Sequence, residues 1–310
     1  MKGFRSLSKH PAKILIVFSV LFVFLAVSFV VLNIFLTQAI QRNQIQSLPF
    51  KSQKAADYPL LRSGILPQIS ATGAIIMDAD SKVVLYAKNP DLRFSLASTT
   101  KMMTGLTALD YFNPDDILTV KASTNEGSLI GLYEGEQMSF RNLLYAMFLP
   151  SANDAAFTIA QNFPGGQDEF VNKMNQKAKA LELFNTAYVD PAGLLDEGDY
   201  TTPFDLARLA SFFIQNKTLQ PIVNTRQITI ADTLGKEFEL ENLNKLLGFE
   251  GVNGIKTGYT EGAGQVLVTS KIEKGRTVII VVMGSEDRFA DTQQLLNLVS
   301  DNLNYLPIGR

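Results

Sequence analysis

The sequence predicts an α+β fold: an antiparallel sheet flanked by helices, with an inserted helical lobe, preceded by one N-terminal transmembrane helix. Three observations predict it. Runs rich in valine and isoleucine lie toward both ends of the body, segments of helical period fill its middle, and an uncharged apolar run stands close to the N-terminus.

Residues 1–13 form a basic tail containing Lys2, Arg5, Lys9 and Lys13. The run "ILIVFSVLFVFLAVSFVVLNIFL", Ile14 to Leu36, carries no charge. As a helix it is roughly 34 Å long, enough to cross a hydrocarbon core of about 30 Å. A cleaved signal peptide has an apolar region of only about 7 to 15 residues and a small-x-small exit. The longer run here, and the poor cleavage site in "TQAIQRNQ", favour an uncleaved anchor. Four basic residues before the span, against only Arg42 in the first stretch after it, place the tail inside and the body outside. The body then works beyond the membrane, away from ATP and NAD. Residues 37–67 show neither helical nor strand period and carry Pro49, Pro59 and Pro67, which reads as a stalk. The remaining 68–310 are the functional body.

In that body, Gly73 to Met77 and Val83 to Tyr86 read as a hairpin around "DADSK". A helix follows at Ser98, then a turn-rich stretch punctuated by Gly127, Gly131 and Gly135. "FRNLLYAMFLPSANDAAFTIAQNF" has helical period on both sides of Pro150, so Ser151 begins a helix just after a break. Further helices are expected over 167–183 and 203–215. "RQITIAD" and "AGQVLVTSKIEKGRTVIIVVMGS" return to strands, the latter a hairpin turning at "EKGR", and a helix over 290–304 closes the chain.

Composition narrows the chemistry. With 28 basic and 30 acidic residues, no single-sign field points to nucleic acid. The chain has no cysteine, which excludes disulfides, thiolate nucleophiles and Cys-type zinc sites. Its one histidine, His10, lies in the basic tail, so the body has no Ser-His-Asp triad and no histidine zinc helix. No metal or cofactor is expected. A nucleophilic enzyme of this composition must activate serine or threonine with lysine, and lysine is a base only when burial or a neighbouring cation lowers its pKa from about 10.4.

"FSLASTTKMMTGLTAL" puts Ser98 and Lys101 one turn apart at the head of an apolar helix. On its own S-x-x-K is cheap: Ser6 and Lys9 match it in the tail, and a capping serine beside a snorkelling lysine is the structural alternative. S-x-N is cheaper, matching at Ser123–Asn125, Ser151–Asn153 and Ser300–Asn302, but only the middle copy opens a helix after a proline. Lys256-Thr257-Gly258 occurs once, leading toward the strand hairpin. On an edge strand, its lysine and hydroxyl project into a cleft and Gly258 lets a substrate backbone approach.

In that order, S-x-x-K, S-x-N and K-T-G are the motif set of penicillin-binding proteins and serine β-lactamases. Beyond the motifs, "GLYEGEQMSFRNLLYAMFLPSANDAA", "DPAGLLDEGDYTTPFDLARLA" and "GVNGIKTGYTEGAGQVLV" resemble the low-molecular-weight D-alanyl-D-alanine carboxypeptidases, the S11 serine peptidases. The resemblance runs from about residue 70 to 306 and implies a serine β-lactamase/penicillin-binding-protein-like fold. It implies Ser98 as the acylated nucleophile and Lys101 as its general base. Ser151 relays a proton toward the leaving D-alanine, Lys256 tunes that hydroxyl, and Asn153 holds the substrate amide. The backbone N–H groups of Ser98 and Tyr259 form an oxyanion hole. Thr257 and Arg288 bind the terminal carboxylate, the alternative for Arg288 being a solvated surface residue. The implied partners are peptidoglycan stem peptides ending in D-Ala-D-Ala, β-lactams as covalent inhibitors, and the membrane through the N-terminal helix.

Ala152 replaces the glycine of many relatives, a small change. Relatives often continue into a β-rich domain and a C-terminal amphipathic helix, whereas this chain ends at Arg310, so the N-terminal span is expected to do the anchoring. A D,D-endopeptidase would use the same residues. A class A β-lactamase needs a glutamate after the second motif; 184–195 has none, and in "ELENLN" Leu240 stands where the E-x-x-L-N pattern puts it. A catalytically silent wall-binding protein predicts lost motif residues, and none is lost.

Overall fold

The computed structural model describes residues 28–29, 57–62, 66–300 and 302–307. The chain divides into two compact units, Met1–Ala55 and Ala56–Arg310. In the first, Ser28 and Phe29 are helical; the predicted tail, the rest of the predicted span and the stalk up to residue 56 lie outside the described residues. Among the described residues, no helix is long and apolar enough to cross a membrane.

The second unit begins with β1 (Tyr58–Leu61), the hairpin strands β2 (Gly73–Asp78) and β3 (Val84–Lys88), and helix α1 (Thr100–Ala108). The middle holds β4 (Ile117–Thr119), β5 (Gln137–Ser139), α2 (Phe140–Phe148), α3 (Asn153–Asn162), α4 (Gly166–Ala180), α5 (Pro203–Phe213) and α6 (Leu219–Val223). Then come β6 (Gln227–Ala231), β7 (Glu237–Glu241), β8 (Val252–Thr260), β9 (Gly264–Glu273), β10 (Arg276–Ser285), α7 (Arg288–Ser300) and β11 (Leu303–Leu306).

Strands from both ends of this unit meet in one antiparallel sheet ordered β3-β2-β10-β9-β8, with helices inserted between them in sequence, as expected. The two-residue period of a strand explains its layering. Ile75 and Met77 of β2, with Ile279, Val281 and Met283 of β10, face the helical lobe. Their neighbours Ala74, Ile76, Val278, Ile280 and Val282 face Leu295, Leu296 and Val299 of α7. Each large aliphatic side chain so buried contributes about 1.5–3 kcal/mol. The β9–β10 hairpin turns at Lys274 and Gly275, whose φ values of 50° and 77° fit a two-residue turn matched to strand twist.

Two stretches differ from expectation. The helix expected over 290–304 ends at Ser300, and Leu303–Leu306 instead forms β11. Its partner is β1, with Tyr58 opposite Leu306 and Leu61 opposite Leu303, so the later part of the segment read as stalk contributes a strand. Tyr305 fastens this corner by donating to Asp78 at 3.0 Å.

The K-T-G motif lies on β8, at the sheet edge, where the sequence reading put it. The polypeptide before α1 makes a single 3₁₀ turn over Ala97–Thr99, which carries Ser98 to the point where β8 passes. Ser139 starts α2 by accepting from the Asn142 N–H at 3.2 Å, and Thr202 starts α5 by accepting from the Asp205 N–H at 3.1 Å.

Candidate active site

Three segments converge on Ser98. The first is its own turn, where Ala97 has φ 47°, a left-handed conformation held by packing on every side. The second is the break between α2 and α3, where Ser151 has φ 66° and α3 begins at Asn153, two residues later than the sequence suggests. The third is β8. A Cβ on Gly258 would lie 3.1 Å from Ala97 Cβ and 3.3 Å from the Ser98 nitrogen. The strand therefore runs against the Ser98 amide only because this residue lacks a side chain. Tyr259 follows Gly258 on this strand and is 63% exposed.

Lys101 is fully buried on the first turn of α1. Its Nζ lies 2.8 Å from Ser98 Oγ, 2.7 Å from Asn153 Oδ1 and 2.9 Å from the Ala192 carbonyl oxygen. The orientation of Asn153 is fixed, because its Nδ2 donates to the Glu126 carbonyl at 2.8 Å. Two of the three partners of Nζ can only accept; the third is a hydroxyl, able to accept or donate. A neutral amine therefore spends its two N–H bonds on Asn153 and Ala192 and leaves its lone pair facing the Ser98 hydroxyl. Burial lowers the Lys101 pKa to about 7, against the opposing pull of Asp190 and Asp154. A large neutral fraction thus exists at physiological pH.

Lys256 is buried too, and burial, with repulsion from Lys101 and Arg288, pushes its pKa well down. Its Nζ donates to the Thr257 carbonyl at 2.9 Å. Ser151 is nearly buried, but among the described residues no hydrogen bond joins it to Lys256 or Lys101. The structure thus brings Ser98 and Lys101 together as expected, adds Asn153 to them as a partner of Lys101, and among the described residues shows no direct Ser151–Lys256 hydrogen bond. Thr257 is buried beside Gly258. Arg288, on the first turn of α7, donates from Nη1 to the Gly258 carbonyl at 2.8 Å. It is half-buried rather than a free surface residue, and burial lowers its pKa, with Asp287 opposing. Arg288 gives this cleft a cation suited to a carboxylate, beside two buried lysines whose pKa values are lowered. Among the described residues, no cluster of acidic residues or histidine could hold a metal ion.

Sequence reasoning missed the loop that completes the Lys101 cage. Asp190 accepts from the N–H groups of Ala192 and Gly193 at 2.6 Å each, Leu194 at 2.9 Å and Leu195 at 3.0 Å. This wraps the backbone so that the Ala192 carbonyl points at Nζ. Gly193, at φ 75°, packs so tightly that a Cβ would sit 1.8 Å from the Ala97 oxygen. Asp154 similarly accepts from the N–H groups of Ile130, Gly131 and Leu132 and holds the loop that meets Asn153. Asp196 accepts from Ser95 Oγ, Thr260 Oγ1 and the Gly262 N–H, joining the same loop to both the nucleophile segment and β8. Burial raises its pKa, and these bonds more than offset that, leaving it below the ordinary value. The signal available in sequence was "DPAGLLDEGD", dense in aspartate and glycine, which marks an ordered loop without saying what it holds.

A buried lysine turned onto a serine that sits beside two converging backbone segments defines a serine hydrolase of the acyl-transfer type. The comparisons agree. The family described as D-alanyl-D-alanine carboxypeptidase, peptidase S11, matches residues 61–287, and the chain belongs to it. It is 34% identical to D-alanyl-D-alanine carboxypeptidase DacF of Bacillus subtilis, over 77% of this chain and 64% of that protein. It is 33% identical to a D-alanyl-D-alanine endopeptidase of Pseudomonas aeruginosa, over 74% of this chain and 76% of that one. The solved structure of the Streptomyces K15 DD-transpeptidase superposes with a TM-score of 0.71 at 31% identity, covering 76% of this chain and 98% of that one. The fold is therefore that of the penicillin-binding proteins.

Proposed function

We propose that this protein is a membrane-anchored serine D-Ala-D-Ala carboxypeptidase that removes the terminal D-alanine from peptidoglycan stem peptides. The observation that carries this reading is the Lys101 cage: a buried amine, 2.8 Å from Ser98 Oγ, with acceptors on its other two sides. Family membership supplies the substrate class.

Ser98 Oγ attacks the penultimate D-alanine carbonyl while its proton passes to Lys101. The carbonyl oxygen takes the negative charge against the N–H groups of Ser98 and Tyr259. The C–N bond then breaks; the leaving amine takes a proton delivered by way of Ser151, and free D-alanine departs. Water, deprotonated by Lys101, attacks the ester; the bond to Ser98 Oγ breaks, the proton held by Lys101 returns to Oγ, and the shortened peptide departs as its carboxylate. Thr257 and Arg288 hold the terminal carboxylate, and Asn153, whose amide already anchors the 126–132 loop, positions the acyl half. β-Lactams acylate the same serine and leave slowly. Span 14–36 tethers the enzyme, with the basic tail on the cytoplasmic side and 68–310 in the extracytoplasmic space, next to its substrate.

The test is D-alanine release from diacetyl-L-Lys-D-Ala-D-Ala by the full-length protein, with intact-mass measurement after incubation with penicillin. We expect release and one covalent adduct, both lost in Ser98→Ala. An unmutated protein that binds wall peptide and releases no D-alanine is a silent binding protein, and rapid turnover of a cephalosporin makes it a β-lactamase. The endopeptidase reading has support of its own in the Pseudomonas aeruginosa relative, similar at nearly the same identity.

A further inference from the structure

One exposed carboxylate ties together two segments of the candidate active site. Asp196 Oδ1 accepts from Ser95 Oγ at 2.5 Å and from Thr260 Oγ1 at 2.6 Å, while Oδ2 accepts from the Gly262 N–H at 3.1 Å. Ser95 lies three residues before Ser98, and Thr260 directly follows Tyr259. The carboxylate thus grips both segments whose backbone N–H groups, those of Ser98 and Tyr259, receive the oxyanion in the proposed reaction. Among the described residues Asp196 makes no ion pair. Its charge strengthens bonds to neutral donors instead, and the two hydroxyls stand in the range of about 2.5–2.7 Å typical of O–H on an ionised oxygen.

The surroundings are shaped for this grip. A Cβ on Gly262 would lie 2.7 Å from Asp196 Oδ2 and 2.8 Å from its Cγ, so only glycine leaves room for the carboxylate. Thr260 Oγ1, while donating to Asp196, accepts from the Ala263 N–H at 3.0 Å, which extends the hold to the β8–β9 turn. β8 is an edge strand: β9 fixes it on one side, and no strand pairs with the other. Arg288 also holds β8, at the Gly258 carbonyl, but from α7 and not from the nucleophile turn. On the other segment, Ala97 stands between Ser95 and Ser98 at φ 47°, a conformation that persists only where its surroundings impose it. Asp196 fastens one end of that strained turn.

We propose that Asp196 is a positioning residue for acylation: by bridging Ser95 and Thr260 it sets the gap between the Ser98 and Tyr259 amides, and so fits the cleft to the oxyanion. It touches no reacting atom. This rests on the Ser98 acyl-enzyme of the proposed function. An oxyanion gains more from two well-placed donors than a neutral carbonyl does, so a gap that opens costs the transition state more than the bound substrate. A displacement of about 1 Å costs on the order of 100-fold in rate, and loss of the bridge is expected to slow acylation by about 10- to 100-fold.

The experiment takes full-length Asp196→Ala and Asp196→Asn, with thermal transitions to verify folding. Three quantities are compared: the rate of penicillin acylation, the affinity for acetyl-D-alanine boronic acid, and the affinity for acetyl-D-Ala-D-Ala in a Ser98→Ala background. The boron takes up Ser98 Oγ and becomes tetrahedral, presenting an oxygen where the oxyanion stands; the peptide binds without reacting. We expect Asp196→Ala to lower acylation and boronate affinity together by about 10- to 100-fold and peptide affinity by less than about threefold. Asp196→Asn keeps Oδ1 as acceptor for both hydroxyls and loses less. Should Asp196→Ala not fold, Ser95→Ala and Thr260→Val each remove one arm of the bridge, and the same split between boronate and peptide is expected. Acylation within about threefold of wild type, or an equal fall in boronate and peptide affinity, overturns the positioning role and leaves the carboxypeptidase standing. A wild-type protein that takes no penicillin adduct overturns the acyl-enzyme itself, and the bridge with it.

Discussion

The sharpest structural demand in the active site falls on a residue that does no chemistry. We expect Gly193→Ala to cripple acylation. At φ 75° an alanine pays the left-handed penalty of about 1–2 kcal/mol. Its Cβ would also sit 1.8 Å from the Ala97 oxygen and 2.8 Å from Thr100 Oγ1. The first contact is with backbone, so no side chain can swing aside; the 190–195 loop and the nucleophile turn must part by roughly 1 Å. A misplacement of that size costs on the order of 100-fold in rate, here by drawing the Ala192 carbonyl off Lys101 and twisting the Ser98 turn. Adding a weakened hydrogen bond or two at about 1 kcal/mol each gives a stability loss of about 2–4 kcal/mol. The control is Gly235→Ala: Gly235 has φ 87° in the β6–β7 turn, and its added Cβ meets nothing within 4 Å, so it isolates the backbone penalty. The assays are the second-order rate of penicillin acylation and urea unfolding. Acylation by Gly193→Ala within about threefold of wild type, or a stability loss equal to that of Gly235→Ala, refutes the reasoning.

Three further outcomes follow from the charges. The acylation rate should climb about tenfold per pH unit below the Lys101 pKa of about 7 and level off above it, because only the neutral amine accepts the Ser98 proton; a profile flat from pH 5 to 8 contradicts this. Asp199 has its pKa raised to about 7 by burial and by Asp190, despite hydrogen bonds from Val189 and Thr100. It binds its proton more tightly folded than unfolded, so its contribution to stability is lost as pH rises from 3.8 toward about 7. Asp199→Asn should therefore gain stability relative to wild type between pH 5 and pH 8 in urea melts, and an unchanged difference removes Asp199 from the balance. Lys256, whose pKa is pushed well down by burial and by repulsion from Lys101 and Arg288, should bind a proton more tightly when a carboxylate enters the cleft. Calorimetry of acetyl-D-Ala-D-Ala binding to Ser98→Ala, in buffers of different ionisation enthalpy, tests this, and a buffer-independent heat counts against it.

What the sequence made legible was side chain and spacing. The three-residue separation of Ser98 and Lys101 placed both on one turn, whereas the Lys101–Asn153 contact was not expected, Asn153 having been read as a holder of the substrate amide. The edge position of β8 agrees with the reading that lysine, threonine and glycine suit an edge strand. What stayed hidden was backbone. The Ala192 carbonyl has no side-chain signature, and a positive φ at Ala97 or Ser151 belongs to residues that rarely adopt it. The β1–β11 pair was illegible for another reason: "YPLL" contains a proline and is too short to show alternation, and its partner lies at the opposite end of the chain. The continuation of α7 past Ser300 was misread because Leu303 and Leu306 keep a helical spacing that the β1 pairing overrides. The proposed span at 14–36 lies almost wholly outside the described residues and rests on the sequence, on length, absence of charge and flanking basic residues.

The cleft also shows how a base can be made from lysine in a site surrounded by carboxylates. An aspartate in contact with Lys101 would hold it protonated, since an opposite charge within about 4–6 Å favours the charged form. Asp190 and Asp154 are near enough to raise the Lys101 pKa, yet both carboxylates are occupied with backbone N–H groups of the loops beside them. What reaches Nζ is a neutral carbonyl from one of those loops and a neutral amide oxygen from Asn153. Each aspartate therefore acts through geometry, exchanging a charge at the amine for a fixed dipole, and burial is left as the dominant influence on the amine. Gly193, which lets the loop approach the nucleophile turn, is what allows that carbonyl to reach the amine.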